Sequence, residues 1–579
     1  MFTRRSFLKT TGAVGAATLV PWQKLLAAKP VKLVPFVDAL PIPPAIDLTG
    51  GGAITLGMAP GAHQFHRDLP ATTAFGYGGA GYLGPTIVAS SGVPITVTWE
   101  NNLPATYPGS LPIDPTLLIE FPTSGGLPAI PHLHGGFNLP QFDGTPLQWF
   151  NSAGQHGSQF ITNTFTYGNE QRAANLWYHD HAVGVTRLNP FAGLAAYYLL
   201  RDAIDTGLAD NPLGLPAGPY EVPLVLQDRI FNADGSLFYS LPNNGVQAIN
   251  PAYPHPVWIP EFFGDTPVVN GKVSPFCNLE PRRYRFRIIN GSNARFYNIW
   301  FQAPAGILPF HQIGTDQGLL PAAAPLTKLV IGPGERADLI VDFAGQPAGT
   351  KIVLKNNAKA PYPGGMGGDV PNLMQFVVNL PLAGADTTTP AASLVLPAIA
   401  PLVGAVRTRE IMLNEVADPI TGVPIAAMID NTPYMDAATE TPTLGDTEIW
   451  AFANTTGDAH PMHTHLVSFQ ILDRQKFDSK AYLAAFTATG VKPALAPYLL
   501  GAPVPPAANE AGWKDTARAM PGEVLRIIAK FDLPTGTVQV PAGRVNPEWV
   551  YHCHILEHEE NDMMRPLQVL GVPSVVAVA

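Results

Sequence analysis

Two cysteines, Cys277 and Cys553, are all that 579 residues contain, and no C-x-x-C pair exists to close a cysteine-based zinc site. If Cys553 binds a metal, no intrachain disulfide is left; Cys277, in SPFCNLEP, reads as a small buried hydrophobe. Long basic runs are missing and the net charge is -10, which argues against nucleic acid as a partner. No apolar run is long enough to span a bilayer: the stretch from Thr11 to Val20 is short and rich in Gly, Ala and Thr, so no stable membrane anchor is expected. Long helical patterns are scarce, residues 477–490 excepted. Gly 55 and Pro 61 make about a fifth of the chain, yet 46% hydrophobic residues place it among chains that bury large cores between many turns.

What the sequence has is histidine in pairs. HLH holds His132 and His134, HDH holds His179 and His181, and HPMHTH holds His460, His463 and His465. The string YHCHILEHEENDMM adds His552, Cys553, His554, His558 and Met563. Ten of fifteen histidines lie in these four segments, too many for the chance surface pairs that a single H-x-H usually represents. On a strand, alternate side chains share a face, so each pair presents two imidazoles to one side while Cys553 faces away from His552 and His554. Cys553 must then serve a different metal from its neighbours. A thiolate, imidazoles and a weak thioether form the ligand set of a blue-copper electron-transfer centre, and His558 and Met563 stand five and ten residues beyond Cys553. The eight paired imidazoles are too many for one ion and suit three copper ions sharing three, three and two nitrogens. His460 is left over and completes the His, Cys, His, Met set.

Short alternating segments bounded by Gly, Pro and Asn dominate the chain. Val93 to Trp99 is apolar at every second position, and Tyr284 to Ile288 is apolar on one face and basic on the other; both read as half-buried strands of β-sandwiches. The length predicts three domains. The histidine segments at 132–181 and 460–558 place the metal ligands in the first (40–203) and third (409–579), with linkers around 203–219 and 381–408. The middle domain, 220–380, is expected to be mainly a spacer. Arg4-Arg5 followed by Ser6-Phe7-Leu8-Lys9 resembles a twin-arginine export signal over residues 1–28, which predicts a folded cargo of the twin-arginine machinery in the periplasm or beyond the envelope.

These residues resemble the multicopper oxidase family, in particular three-domain bacterial laccases, with bilirubin oxidase and phenoxazinone synthase as near relatives. Besides the four histidine motifs, VVNGKVSPFCNLEPRRYRFRIINGSN, FHQIGTDQGLL and GWKDT carry the likeness, from about residue 85 to the end. The resemblance implies three consecutive cupredoxin-like Greek-key β-sandwiches, an all-β chain. It implies four copper ions: a type 1 ion on His460, Cys553, His558 and Met563, a type 2 ion on His132 and His463, and a type 3 pair on His134, His179, His181, His465, His552 and His554. It also implies dioxygen as electron acceptor and a small aromatic or metal-ion donor; the oligomeric state is not read from the sequence, and a monomer is the default expectation. Asp143, in QFDGTP, matches a family aspartate near the type 2 site, and Glu559 follows His558; both are expected to relay protons. The plain alternatives are a turn cap for Asp143 and a solvated acidic run for Glu559, Glu560 and Asp562. Asp180, between two ligands, is expected to orient its neighbours.

The leading expectation is laccase-like oxidation of phenols or aromatic amines. A cuprous or manganous oxidase is the first alternative, weakened because the eleven methionines are scattered. A bilirubin oxidase and an exported cell-division protein of the same fold are the others. The full ligand set argues against the last, and against a simple electron carrier.

Overall fold

The computed structural model describes residues 31–241, 255, 257–418 and 424–577; the export signal at 1–28 lies outside them. Three pairs of sheets are each built from one continuous stretch of chain. In the first, a five-stranded sheet (Ala45–Leu48, Thr86–Ser90, Ala195–Arg201, Ala174–Asp180, Pro131–His134) packs on a four-stranded one (Thr72–Tyr77, Gly52–His63, Ile95–Asn101, Thr164–Tyr167) around Trp99, Tyr178 and their apolar neighbours. Strands between Glu221 and Val378 form the second pair, of eight and six strands. Those between Arg407 and Gln568 form the third, of five and four.

The same topological step recurs in all three. A long opening strand pairs in parallel with a later one: Gly52–His63 with Ile95–Asn101, Glu221–Phe231 with Arg283–Asn290, and Arg407–Ala417 with Thr447–Asn454. Parallel partners need a crossover, which closes each sandwich as a Greek key. Ile95–Asn101 shows why such segments choose strand. Ile95, Val97 and Trp99 are buried, Thr96 and Thr98 are half-covered and Glu100 is exposed, the two-residue period of a sheet with one face on a core. The helix expected near 477–490 runs Ser479–Thr489; Asp478 Oδ1 accepts from Ala481 N at 3.0 Å at its start, and Gly490 ends it at φ 67.

The linkers are part of the packing. Leu213 and Leu215 meet Ala391, Leu394 and Leu396 over Ile313, Leu320 and Ile340 of the middle sandwich. The segment 484–512 is a wall of the third sandwich, with Leu495 and Tyr498 against Met412 and Val524, and Val504 exchanging two 2.8 Å backbone hydrogen bonds with Arg474. Residues 533–546 fasten the third sandwich to the first: Val538 and Val540 cover Leu139, and Gln141 Nε2 donates to Thr537 O at 2.9 Å.

Arg283–Asn290 departs from expectation, since its basic face is not solvated. Arg285 and Arg287 are buried in a knot with Asp205 from the first linker, Glu221 and Asp338; Arg201 joins through Glu221. Arg285 Nη1 and Nη2 grip Asp205 at 2.8 and 2.6 Å, and Arg287 Nε reaches Glu221 at 2.8 Å. Three guanidiniums meet three carboxylates, so removing one partner strands a buried charge. Asp205→Asn is expected to cost about 3–5 kcal/mol in denaturant unfolding. The knot also predicts acid sensitivity. Burial alone would raise the Glu221 carboxyl, but Arg287, Arg201 and Arg285 outweigh it and hold it at about 2 against an ordinary 4.5. Its stabilisation is therefore complete above pH 4.5 and is lost as pH falls toward 2, which denaturant midpoints across that window will show.

Candidate metal centres

The strand Pro131–His134 lies at the edge of its sheet and pairs antiparallel with Ala174–Asp180, setting His132 opposite His179. In the third sandwich His460–Thr464 pairs with Glu548–Cys553, setting His463 opposite His552 and Met462 opposite Cys553. These two sandwiches meet along those strands. The alternation of side chains then divides the ligands: His463, His465, His552 and His554 turn toward the first sandwich, and His460 and Cys553 turn the other way. No side chain of the twelve expected ligands is more than 1% exposed.

His460, Cys553 and His558 form one group. Cys553 Sγ is 3.5 Å from His460 Nδ1 and 3.8 Å from His558 Nδ1, and the two nitrogens are 3.2 Å apart. His460 Nε2 lies 2.6 Å from Thr456 Oγ1, and Ile555 N donates to Cys553 Sγ at 3.4 Å. Met563 is buried in the same cluster, with its carbonyl accepting from Cys553 N at 2.9 Å.

The other eight histidines fall into overlapping groups: His134, His179 and His554; His181, His465 and His552; and His132, His134 and His463. Hydrogen bonds on the outer side fix most tautomers. Carbonyl and carboxylate oxygens can only accept, so each facing ring nitrogen must carry the proton. His132 Nδ1 donates to Asp143 O (2.6 Å), His179 Nδ1 to Asp180 O (2.9 Å), His463 Nδ1 to Asp515 O (2.8 Å) and His552 Nδ1 to Cys553 O (3.1 Å). His465 Nδ1 donates to Asp143 Oδ2 at 2.7 Å, and His134 Nε2 lies 3.0 Å from Asp515 Oδ1. The inward nitrogens are left with bare lone pairs. Those of His132, His134, His179 and His463 have no protein partner, and His552 Nε2 sits 3.2 Å from His465 Nε2 and 3.3 Å from His181 Nε2. His465 and His552 both carry their proton on Nδ1, so their Nε2 lone pairs face each other and repel. Two nitrogens bound to one cation at about 2.0 Å with a tetrahedral angle stand about 3.3 Å apart. The arrangement fits metal ions and is costly without them.

Comparison with known proteins agrees. Residues 410–571 match a family model described as multicopper oxidase. The chain is 41% identical to the laccase of Bacillus subtilis over 552 residues, covering 92% of this chain and 98% of that one. It is 38% identical to multicopper oxidase LPR1 of Arabidopsis thaliana over 561 residues, 93% of each. A laccase structure from Pediococcus acidilactici superposes with TM-score 0.66 at 26% identity, covering 93% of this chain and 95% of that one.

The chain belongs to the multicopper oxidase family.

It is a laccase-like, copper-dependent oxidoreductase that uses oxygen, and residues 1–21 match a twin-arginine signal that sends it to the periplasm or out of the cell. Among the described residues no helix is long and apolar enough to cross a membrane. The family implies copper, and the histidine groups and the Cys553 group have the composition and spacing of metal sites.

The acidic neighbours of the cluster are buried, not a solvated run. Glu559 Oε2 is 3.1 Å from His552 Nδ1 and Oε1 is 3.4 Å from His181 Nε2; burial lifts its carboxyl to about 7, against the pull of His181. Glu560 pairs with Arg187 at 2.5 Å, and Glu557 accepts from Tyr239 Oη at 2.6 Å and Asn293 Nδ2 at 2.9 Å. Asp143 is not only a turn cap, because its carboxylate holds His465. Asp180 accepts from Ile130 N, Ala182 N and Asn189 Nδ2, which anchors the backbone between His179 and His181.

Sequence reasoning missed Asp515, Thr516 and Thr456 behind the ligands. It also made the middle domain too passive. Arg336 of that domain grips Asp515 with both Nη atoms at 2.6 and 2.5 Å, and a Cβ on Gly334 would lie 2.7 Å from the His554 ring. The stretch GWKDT contained the signal, but nothing in the histidine spacing points to an arginine some 180 residues earlier.

Burial lowers the imidazoles: His179, His181 and His558 to about 3 and His552 to about 4, against 6.5 in the unfolded chain. Metal-free protein is therefore expected to lose stability steadily as pH drops from 6.5 toward 3, because only the unfolded chain takes up those protons. Unfolding midpoints of chelator-stripped protein at pH 7.5, 6 and 5 check this, and adding copper at pH 7.5 should raise the midpoint.

Proposed function

We propose that the protein oxidises small aromatic one-electron donors, phenols or aromatic amines, at a type 1 site and reduces dioxygen to water at a trinuclear site. The type 1 ligands are His460, Cys553, His558 and Met563. His132 and His463 hold the type 2 ion, and His134, His179, His181, His465, His552 and His554 hold the type 3 pair, four copper ions in all. The observation that carries this reading is the set of inward ring nitrogens 3.2–3.3 Å apart beside a separate thiol–imidazole group. Copper in these positions supplies one-electron acceptance from the donor and the four-electron reduction of dioxygen, which also consumes four protons.

The chain's own residues do the rest. One peptide bond on either side of Cys553 joins the two ligand groups, so the sites are linked covalently and no mobile carrier is needed. Glu559, touching His552 and His181, is placed to hand a proton to the cluster from Oε1 or Oε2. Asp143 is placed to do so from the other side through its free Oδ1, while Oδ2 accepts from His465 Nδ1 and holds that ring in orientation. Burial of every ligand excludes water from the reacting atoms.

A second reading has one observation in its favour. Burial raises the carboxyls of Glu261, Glu415 (to about 8) and Asp458 (to about 6), repulsion by neighbouring carboxylates adds to the rise at Glu261 and Glu415, and Asp458 lies two residues before His460. Three crowded carboxylates beside the type 1 ligands favour a cationic donor such as a cuprous or manganous ion.

Oxygen uptake by copper-loaded protein with a phenol, an aromatic amine, bilirubin, cuprous and manganous ions separates the readings. Organic donors should turn over fastest; cuprous oxidation far above all of them, lost in Glu415→Gln, would replace the first reading by the second. Cys553→Ser should abolish the blue colour and donor oxidation while the eight cluster histidines still bind copper. Glu559→Gln should lower oxygen-reduction turnover by about 10²-fold or more, and Asp143→Asn should also alter its pH profile. Unchanged turnover and pH profile in both would sink the proton-relay assignment.

A further inference from the structure

We propose that Arg336, carried by the middle sandwich, is a positioning residue for the trinuclear site, acting through Asp515 to fix the ring orientation of His134. The inference rests on the ligand assignment proposed above.

His134 is turned the opposite way from its neighbours. His132, His179, His463, His465 and His552 each donate outward from Nδ1 and present Nε2 to the cluster. His134 has its outward partners at Nε2, Asp515 Oδ1 and Thr516 Oγ1, both at 3.0 Å, and presents a buried, unpartnered Nδ1. For four of the other five the acceptor is a backbone carbonyl, fixed by the strand or turn that supplies it. His134 depends on a side-chain carboxylate from another domain, and a carboxylate can rotate.

Asp515 is prevented from rotating. Its Oδ1 also accepts from Arg336 Nη1 at 2.6 Å and Thr516 Oγ1 at 2.8 Å, while Oδ2 accepts from Arg336 Nη2 at 2.5 Å and Gln317 Nε2 at 2.6 Å. Arg336 is held in turn. Its Nε donates to Asn175 O at 2.8 Å, on the strand that carries His179, and its backbone N donates to Asp316 Oδ1 at 2.8 Å. One buried guanidinium thus ties a ligand-bearing strand of the first sandwich to the carboxylate of the third that orients His134. Two-pronged contact is what an arginine provides and a lysine does not.

The test compares Arg336→Lys, which keeps the charge but loses the fork, and Asp515→Asn, which keeps an oxygen for His134 but loses the charge. Copper-loaded wild type and variants are dialysed against chelators of graded strength, counting copper per chain and reading the blue absorption of the Cys553 site. Both variants should release cluster copper about 10- to 100-fold more readily, with the blue absorption retained and the paramagnetic resonance of the cluster altered. A lower thermal midpoint with copper held as tightly as in wild type would overturn the proposal, as would parallel loss of cluster copper and blue colour. Should Arg336→Lys not fold, Asp515→Asn alone decides. Wild type that retains copper only at the Cys553 site would instead overturn the ligand assignment, and this inference with it.

Discussion

Ten buried imidazoles, eight crowded in one cluster and two beside Cys553, are the constraint on which the molecule turns. Neutral rings avoid charge repulsion, which is why burial holds the histidines far below their solution pKa. Neutrality still leaves ring nitrogens crowded at 3.2–3.3 Å, two of them, on His465 and His552, with unshared pairs facing each other. A fold that keeps them there must hold rings from behind, and seven of the ten are held by outward hydrogen bonds. The outward hydrogen bonds to Asp143, Asp180, Cys553, Asp515 and Thr456 are that grip, and they also decide which nitrogen faces in.

The grip explains why so much ionic side chain is buried in a chain that is only 13% charged. Arg187, Arg285, Arg287, Arg295 and Arg336 are each buried against a carboxylate. Ion pairs of this kind add little net stability over apolar packing, but one partner without the other is costly, so they penalise every misdocked arrangement of the sandwiches. The cluster is split between the first and third sandwiches, and its ligands converge only if docking is correct to a fraction of an ångström. Burying charge at the junctions trades stability for registration.

The convergence of the histidines, and the separation of Cys553 from its two neighbours, were legible in the sequence because strand geometry converts spacing into direction. An H-x-H pair on a strand can only point one way, and a cysteine between two histidines can only point the other. Ile95–Asn101 was legible for the same reason. What could not be read was polar structure whose partner is remote. Arg285 and Arg287 look like a solvated face until Asp205 and Asp338 are brought over them. Asp515 sits in a recognisable string, but its two jobs, carbonyl to His463 and carboxylate to His134, follow from pairing with Arg336. The segment 533–546 carries no local signal of its role, because that role is contact with Leu139 and Gln141, almost 400 residues away. Local periodicity records which way a residue faces and is silent about what it meets.

The short helix Leu556–Glu560 shows how closely the two kinds of information are joined. It begins three residues after Cys553, and its three carboxylates leave in different directions because each residue turns the helix by about 100°. Glu560 goes to Arg187 of the first sandwich, Glu557 goes to Tyr239 and Asn293 of the second, and Glu559 goes to His181 and His552 of the cluster. His558, on the same turn, faces Cys553. Five residues therefore place one ligand of the thiol site, lay one carboxylate against the cluster and clamp both neighbouring sandwiches. Read as a string, they are an acidic run on the way to the C-terminus. Wound into a helix of little more than one turn, they hold the cysteine strand against the rest of the protein.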